Sequence, residues 1–256
     1  DGLAPLVPEP WRRSLHGWST YVGSVRMARG AAPQIVLIDR LDSAQTTIAG
    51  GQLVEGVDTS DLVSLDLADQ VLGSGFLSRI NMNLREDKHW AYGAGGSFVD
   101  QPQQVSYLAS TSVQQDKAGP AVGELRKEVT DLVTTRPISQ EELDFVRDSR
   151  LRSMSSWFSS AGGVLAGMQE NVRRGRPDDY YATLGEEYKT VELDELRADV
   201  KAALAPSQWV WVVVGDADIV KPQLEPLGLP ITVLKPEDVL PPFRSGDSTD
   251  PEVPEG

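Results

Sequence analysis

Between Gly73 and Phe98 the sequence GSGFLSRINMNLREDKHWAYGAGGSF leaves the backbone few options. Two glycines open it. Phe76, Ile80 and Leu84 then recur at i, i+4 and i+8, which predicts a helix from Phe76 to about Asp87 with one apolar face, and Leu77 falls on the same side as Leu84. Arg85, Glu86, Asp87 and Lys88 form a charged helix end, and Trp90, Ala91, Tyr92 and Gly93 begin a strand. Arg85 and Tyr92 stand seven positions apart across this helix-to-strand turn. Such a turn can aim a guanidinium and a phenol at one point, as paired donors for a carbonyl or an oxyanion. A plainer reading stands beside it: Arg85 pairs with Glu86 or Asp87, and Tyr92 packs into the core.

The flanking chain supplies the rest of a fold. Ile35–Ile38 reads as a short buried strand and Ser43–Gly51 as a second. A helix is expected from near Asp58, with Leu62, Leu65 and Leu72 on its apolar face and Gly73 at its end. Tyr92–Phe98 and Gln104–Val113 read as paired strands joined by a turn around Asp100–Pro102. Further helices are expected over Gly119–Thr135, from a Ser139–Glu142 capping box to Phe158, and over Val164–Arg174 after a break at Gly162 and Gly163. Asp178–Glu187 reads as a short polar helix or loop. Leu193, Leu196, Val200 and Leu204 mark a last helix that Pro206 ends. Trp209–Val214 and Ile231–Leu234 complete the strands. Strands joined by short turns, with helices in groups, predict an α+β fold: a mostly antiparallel sheet with a layer of helices on one face. The expected organisation is an N-terminal arm or linker over 1–30, one folded domain over 31–234 and a Pro-rich acidic tail over 235–256.

Composition removes several functions. The 256 residues carry a formal charge of −14, with a sequence pI of about 4.6. Phosphate backbones and anionic lipids would repel such a chain, and no basic patch with interleaved aromatics is present, so nucleic acid is not an expected partner. No apolar run approaches the ~18 residues of a membrane span. There is no cysteine, hence no disulfide, thiolate nucleophile or cysteine zinc site. The first residue is Asp and no apolar leader follows, so a processed or excised piece is expected. Gly73-Ser-Gly75 follows a helix rather than a strand, which argues for a tight turn between helices and against a dinucleotide loop. Gly93, Gly95 and Gly96 either keep their strand slim where a peptide or an opposing domain approaches, or mark a bulge.

Gly73, Gly75, Phe76, Ser78, Arg79, Leu84, Arg85, Glu86, Trp90, Ala91, Tyr92 and Gly93 together resemble a run in the second, zinc-free half of the pitrilysin or insulinase zinc peptidases, the inverzincins. The rhythm of the resemblance continues over roughly Ile35–Leu234. In that family the zinc half carries H-x-x-E-H on a helix, with a further Glu downstream. The corresponding helix here reads Asp66, Leu67, Ala68, Asp69, Gln70, and the two histidines of the chain, His16 and His89, lie elsewhere. The resemblance therefore implies a domain inactive alone, without metal or cofactor, whose zinc-bearing partner is an upstream domain or a separate subunit. Asp66 and Asp69 are expected on a solvated helix face. For Arg85 and Tyr92 the resemblance implies contacts to the scissile carbonyl and the tetrahedral oxyanion, with unfolded peptides as substrates. Bacterial members of this layout are often exported, which implies a periplasmic or secreted location. The same fold leaves open a non-catalytic binding or scaffold subunit.

Overall fold

A computed structural model of the chain describes residues 32–54, 61–101 and 104–239. The expected N-terminal arm, the cap at Asp58, the tip of the turn at Pro102 and most of the tail lie outside these residues.

The elements are β1 (Gln34–Asp39), β2 (Gln45–Val54), α1 (Asp61–Asp69), α2 (Arg79–Asn81), β3 (Ala91–Gln101), β4 (Gln104–Gln114), α3 (Ala118–Val133), α4 (Gln140–Trp157), α5 (Ala161–Arg174), α6 (Tyr180–Thr190), α7 (Leu193–Ala203), β5 (Val210–Gly215), α8 (Ala217–Leu224), β6 (Ile231–Leu234) and α9 (Pro236–Val239). The six strands form one mixed sheet in the order β3-β4-β2-β5-β1-β6. The pairs β3–β4, β4–β2 and β2–β5 are antiparallel, as expected for most of the sheet. β1 runs parallel to both β5 and β6. A parallel neighbour requires a crossover, and here α8 carries the chain from β5 past β1 to β6.

Side chains alternate across the strands, so one sheet face is packed and the other is open. Ile35, Leu37, Ile48, Tyr107, Ala109, Trp211 and Val213 are fully buried on the packed face. Leu108 and Val212 are exposed on the other. Phe98, Tyr107, Trp209 and Trp211 stack in sequence across the packed side, with ring centroids 4.8, 5.7 and 5.3 Å apart. Gly50 is what admits Trp211: a Cβ there would lie 2.3 Å from the indole. The helical layer closes over this ladder through Val122, Leu125 and Val129 of α3 and Leu196 and Val200 of α7.

Several local expectations are corrected. The helix after the glycines begins at Arg79 rather than Phe76, because Gly75 and Ser78 are both extended. It then widens into a π-helical turn over Met82–Asp87. Ile80 and Leu84 are buried as predicted, but Phe76 and Leu77 sit in the preceding turn, 65% and 60% exposed. Gly162 and Gly163 do not break a helix. They lie inside the first turn of α5, where the Ser160 hydroxyl accepts the Gly163 N–H at 3.1 Å. Gly163 is required there because a Cβ would fall 2.1 Å from the Trp157 carbonyl oxygen. The capping box of α4 forms in full. Its Glu142 also takes two hydrogen bonds from the Arg79 guanidinium, at 2.9 and 2.7 Å, which ties α2 to the start of α4. α8 was not foreseen: Asp216 caps it, yet Gly215 before it and Pro222 within it both read as breakers.

Candidate functional site

The glycine-rich run brings two backbones together. α1 continues into a π-helical turn over Gln70–Ser74, and this turn crosses β3. A Cβ on Gly73 would lie 2.6–2.8 Å from the backbone of Gly96, and one on Gly95 would lie 2.9 Å from the Gly73 carbonyl oxygen. At Gly95 and Gly96 the backbone that approaches the slim strand is the chain's own. The bulge exists as well: the β3–β4 register shifts between Ala91 and Ala94, so Tyr92 and Gly93 lie outside regular pairing.

That bulge sets the direction of Tyr92. Its side chain is 91% exposed, so the core reading is wrong. Arg85 lies in the π-helical turn, and its Cζ stands 4.8 Å from the Phe76 ring centroid and 5.5 Å from that of Tyr92. The guanidinium is held by two rings, an arrangement that fixes a long side chain while leaving N–H groups unused. One edge of it meets Glu86, with Nε 3.2 Å from Oε1. Among the described residues the Tyr92 hydroxyl has no hydrogen-bond partner.

Two further residues build this site, and residue type alone did not reveal them. Phe76 supplies the second ring. Asn81, buried in α2, donates from Nδ2 to the Phe76 carbonyl at 2.7 Å and accepts at Oδ1 from the Ala94 N–H at 3.1 Å. One amide thereby joins the turn that carries Phe76 to the bulge that carries Tyr92. His89 closes the helix end in a left-handed conformation, φ 57°, with a ring nitrogen 3.1 Å from the Arg85 carbonyl.

The helix that corresponds to the zinc motif is not solvated. Asp66 receives both Nε (2.8 Å) and Nη2 of Arg150, and the Tyr188 hydroxyl donates to it at 2.7 Å. Asp69 is buried at 6% exposure, and its Oδ1 has no hydrogen-bond partner. Burial raises the Asp69 carboxyl to about 7; the nearby Ser74 hydroxyl lowers it in part, and Asp66 pushes it further up. These residues do not fit a zinc ion. Asp66 is committed to a guanidinium, Gln70 bonds Ser74, and no cluster of three His, Cys, Asp or Glu suited to a metal occurs among the described residues. Asp66 and Asp69 line a cleft of about 270 Å³ floored by α1 and walled by aromatic side chains.

The fold is thus a one-sided mixed sheet whose motif helix carries the Asp66–Arg150 ion pair and, among the described residues, no group of His, Cys, Asp or Glu suited to a metal. Residues 27–150, just under half of the chain, match the profile of the peptidase M16 inactive domain. A comparison with curated proteins finds no match. Among solved structures, a peptidase M16 inactive domain from Pseudomonas fluorescens superposes with a TM-score of 0.67 at 18% identity, covering 74% of this chain and 45% of that one. The periplasmic protease PqqL from Escherichia coli gives 0.62 at 15% identity, covering 73% and 21%. The inactive peptidase domain of a candidate zinc protease from Bordetella parapertussis gives 0.56 at 21% identity, covering 66% and 91%. The chain thus spans less than half the length of the Pseudomonas and Escherichia structures.

Proposed function

We propose that this chain is the zinc-free half of a metalloendopeptidase and lends Arg85 and Tyr92 to an active site whose zinc is held by another domain or subunit. The observation that carries the reading is the paired presentation of the two side chains. A guanidinium clasped by two rings and a phenol without a partner among the described residues face outward from one turn. Neither contributes to the core, so their placement supports an external acceptor. A peptide carbonyl developing negative charge suits these donors, and one such donor typically contributes about 100- to 1000-fold in rate. The zinc of the other half would activate water, and this chain would position peptide and oxyanion. Substrates are unfolded peptides, and the similarity to a periplasmic protease supports a periplasmic location.

The test is to add Arg85→Ala, Tyr92→Phe and the unaltered chain separately to the zinc-bearing half and follow cleavage of a quenched unfolded peptide. Turnover is expected to fall about 100-fold or more for each variant, with assembly unchanged. Unaltered turnover by the variants removes the assigned roles. Assembly without any cleavage, even for the unaltered chain, would instead mark a binding or scaffold subunit.

A further inference from the structure

The cleft on the motif helix has no part in the reading above, and its chemistry is specific. It is about 270 Å³ in volume, enough for one long side chain or a small amine. Asp69 lies in its lining together with Phe98, Trp157, Tyr180, Tyr181 and Arg176. The carboxyls and cations around it are otherwise matched. Arg150 holds Asp66, Arg173 and Arg174 hold Glu170, and Arg176 lies over the Tyr180 ring at 4.1 Å. Among the described residues Asp69 is the exception, a carboxyl in no ion pair, with one oxygen lacking any hydrogen-bond partner and only 6% of the residue exposed. An orphaned buried acceptor of this kind is costly unless something fills it. Aromatic walls beside a carboxylate favour a cation on a short apolar arm, since ring faces attract positive charge and the arm covers apolar surface.

We infer that this cleft is a binding site for an ammonium or guanidinium group on an alkyl arm, with Asp69 as the counter-charge and Phe98, Trp157 and Tyr181 as the walls. The group could belong to a basic side chain of a peptide or to a free amine. The peptide source rests on the reading of this chain as part of a peptidase; the site itself does not. The Asp69 carboxyl that burial has pushed upward would fall on binding, so uptake of the cation releases a proton.

The experiment is a titration of the chain followed by nuclear magnetic resonance at the Trp157 indole N–H. The probes are N-acetyl-arginine N-methylamide, n-butylguanidine and the neutral N-acetyl-norleucine N-methylamide. Both guanidinium probes are expected to saturate the shift below about 10 mM, at least tenfold more tightly than the neutral one. Asp69→Asn, which retains the shape of the side chain, is expected to weaken the guanidinium probes at least tenfold. Tyr181→Leu provides a second variant, with weakening of about threefold or more and Asp69 untouched. Tighter binding of the arginine amide than of butylguanidine assigns the site to a peptide side chain, and the reverse order to a free amine. Absence of a saturable shift, equal binding of the neutral probe, or full binding by Asp69→Asn overturns the inference. No cleavage or partner enters the titration, so its failure leaves the roles of Arg85 and Tyr92 intact.

Discussion

The Cζ of Arg85 stands 5.5 Å from the ring centroid of Tyr92, and the phenol hydroxyl at the far end of that ring has no partner among the described residues. Ring and hydroxyl therefore have separable duties. The ring helps to hold the guanidinium, while the hydroxyl is free to donate elsewhere. Tyr92→Phe should leave the free energy of unfolding unchanged within about 0.5 kcal/mol, because it keeps the ring. Tyr92→Ala should lose roughly 0.5–1 kcal/mol, the usual range for an exposed cation–π contact. Urea denaturation of the two variants checks this, and equal losses in both would show that the hydroxyl is structurally engaged.

Asn81 transmits the fold to the site. Replacing it with Ala removes the bonds to the Phe76 carbonyl and the Ala94 N–H and leaves that N–H with no acceptor. The expected cost is about 2–3 kcal/mol, from two lost hydrogen bonds of which one strands a partly buried donor. Hydrogen exchange at Ala94 should quicken by more than global destabilisation explains, because the bulge loses its anchor. Exchange that rises uniformly over β3 and β4 would instead give Asn81 a purely general packing role.

Much of this arrangement could be read from the residues, and the failures have common causes. The strands over Ile35–Ile38, Trp209–Val214 and Ile231–Leu234, and the capping box at Ser139, were legible because periodicity and cap chemistry are local. The start of the organising helix was not. Phe76 has helical spacing to Ile80 and Leu84, yet an extended Gly75 and Ser78 place it in a turn. Asp66 and Asp69 were misjudged for a different reason. Charge on a helix predicts a wet face unless partners far along the chain intervene, and Arg150 and Tyr188 do. The position of Arg85 beside Tyr92 was expected from the helix-to-strand turn. The bulge that exposes Tyr92 and the Asn81 bridge depend on strand register, which no short stretch reveals.

The Asp66–Arg150 pair is a second place where the fold depends on distant partners. Both side chains are about a quarter to a third exposed, so the pair is only partly desolvated. Arg150→Met should cost roughly 2–3 kcal/mol, somewhat below the loss seen when a fully buried pair is broken. The double change Arg150→Met with Asp66→Asn should cost less than the single one, since no carboxylate is then left beside the apolar wall. A thermodynamic cycle in urea measures the difference. A double variant less stable than Arg150→Met would mean that Asp66 acts chiefly through Tyr188.

Asp69 should leave a signature in the pH dependence of stability. Its carboxyl titrates near 3.8 unfolded and near 7 in the fold, chiefly because burial disfavours the charge. Asp66 faces it and adds to that effect, while Ser74, Arg150 and the Phe98 backbone oppose it. Below 3.8 both states hold the proton and no penalty exists. Between 3.8 and 7 the folded state binds the additional proton, so stability falls as pH rises, and the loss is complete above about 7. For this separation the loss is on the order of 4 kcal/mol. Burial also lifts Glu124 and Glu142, but Asn83 and Lys88 in one case and Arg79 in the other outweigh it and hold both below 4.5. These two lose stability only as pH drops below that range, which separates them from Asp69. Urea midpoints measured from about pH 5 to pH 8 should therefore decline for the unaltered chain and stay flat for Asp69→Asn, which cannot ionise. Parallel curves for the two proteins would show that Asp69 is charged in the fold throughout, with a counter-charge that the cleft geometry does not display.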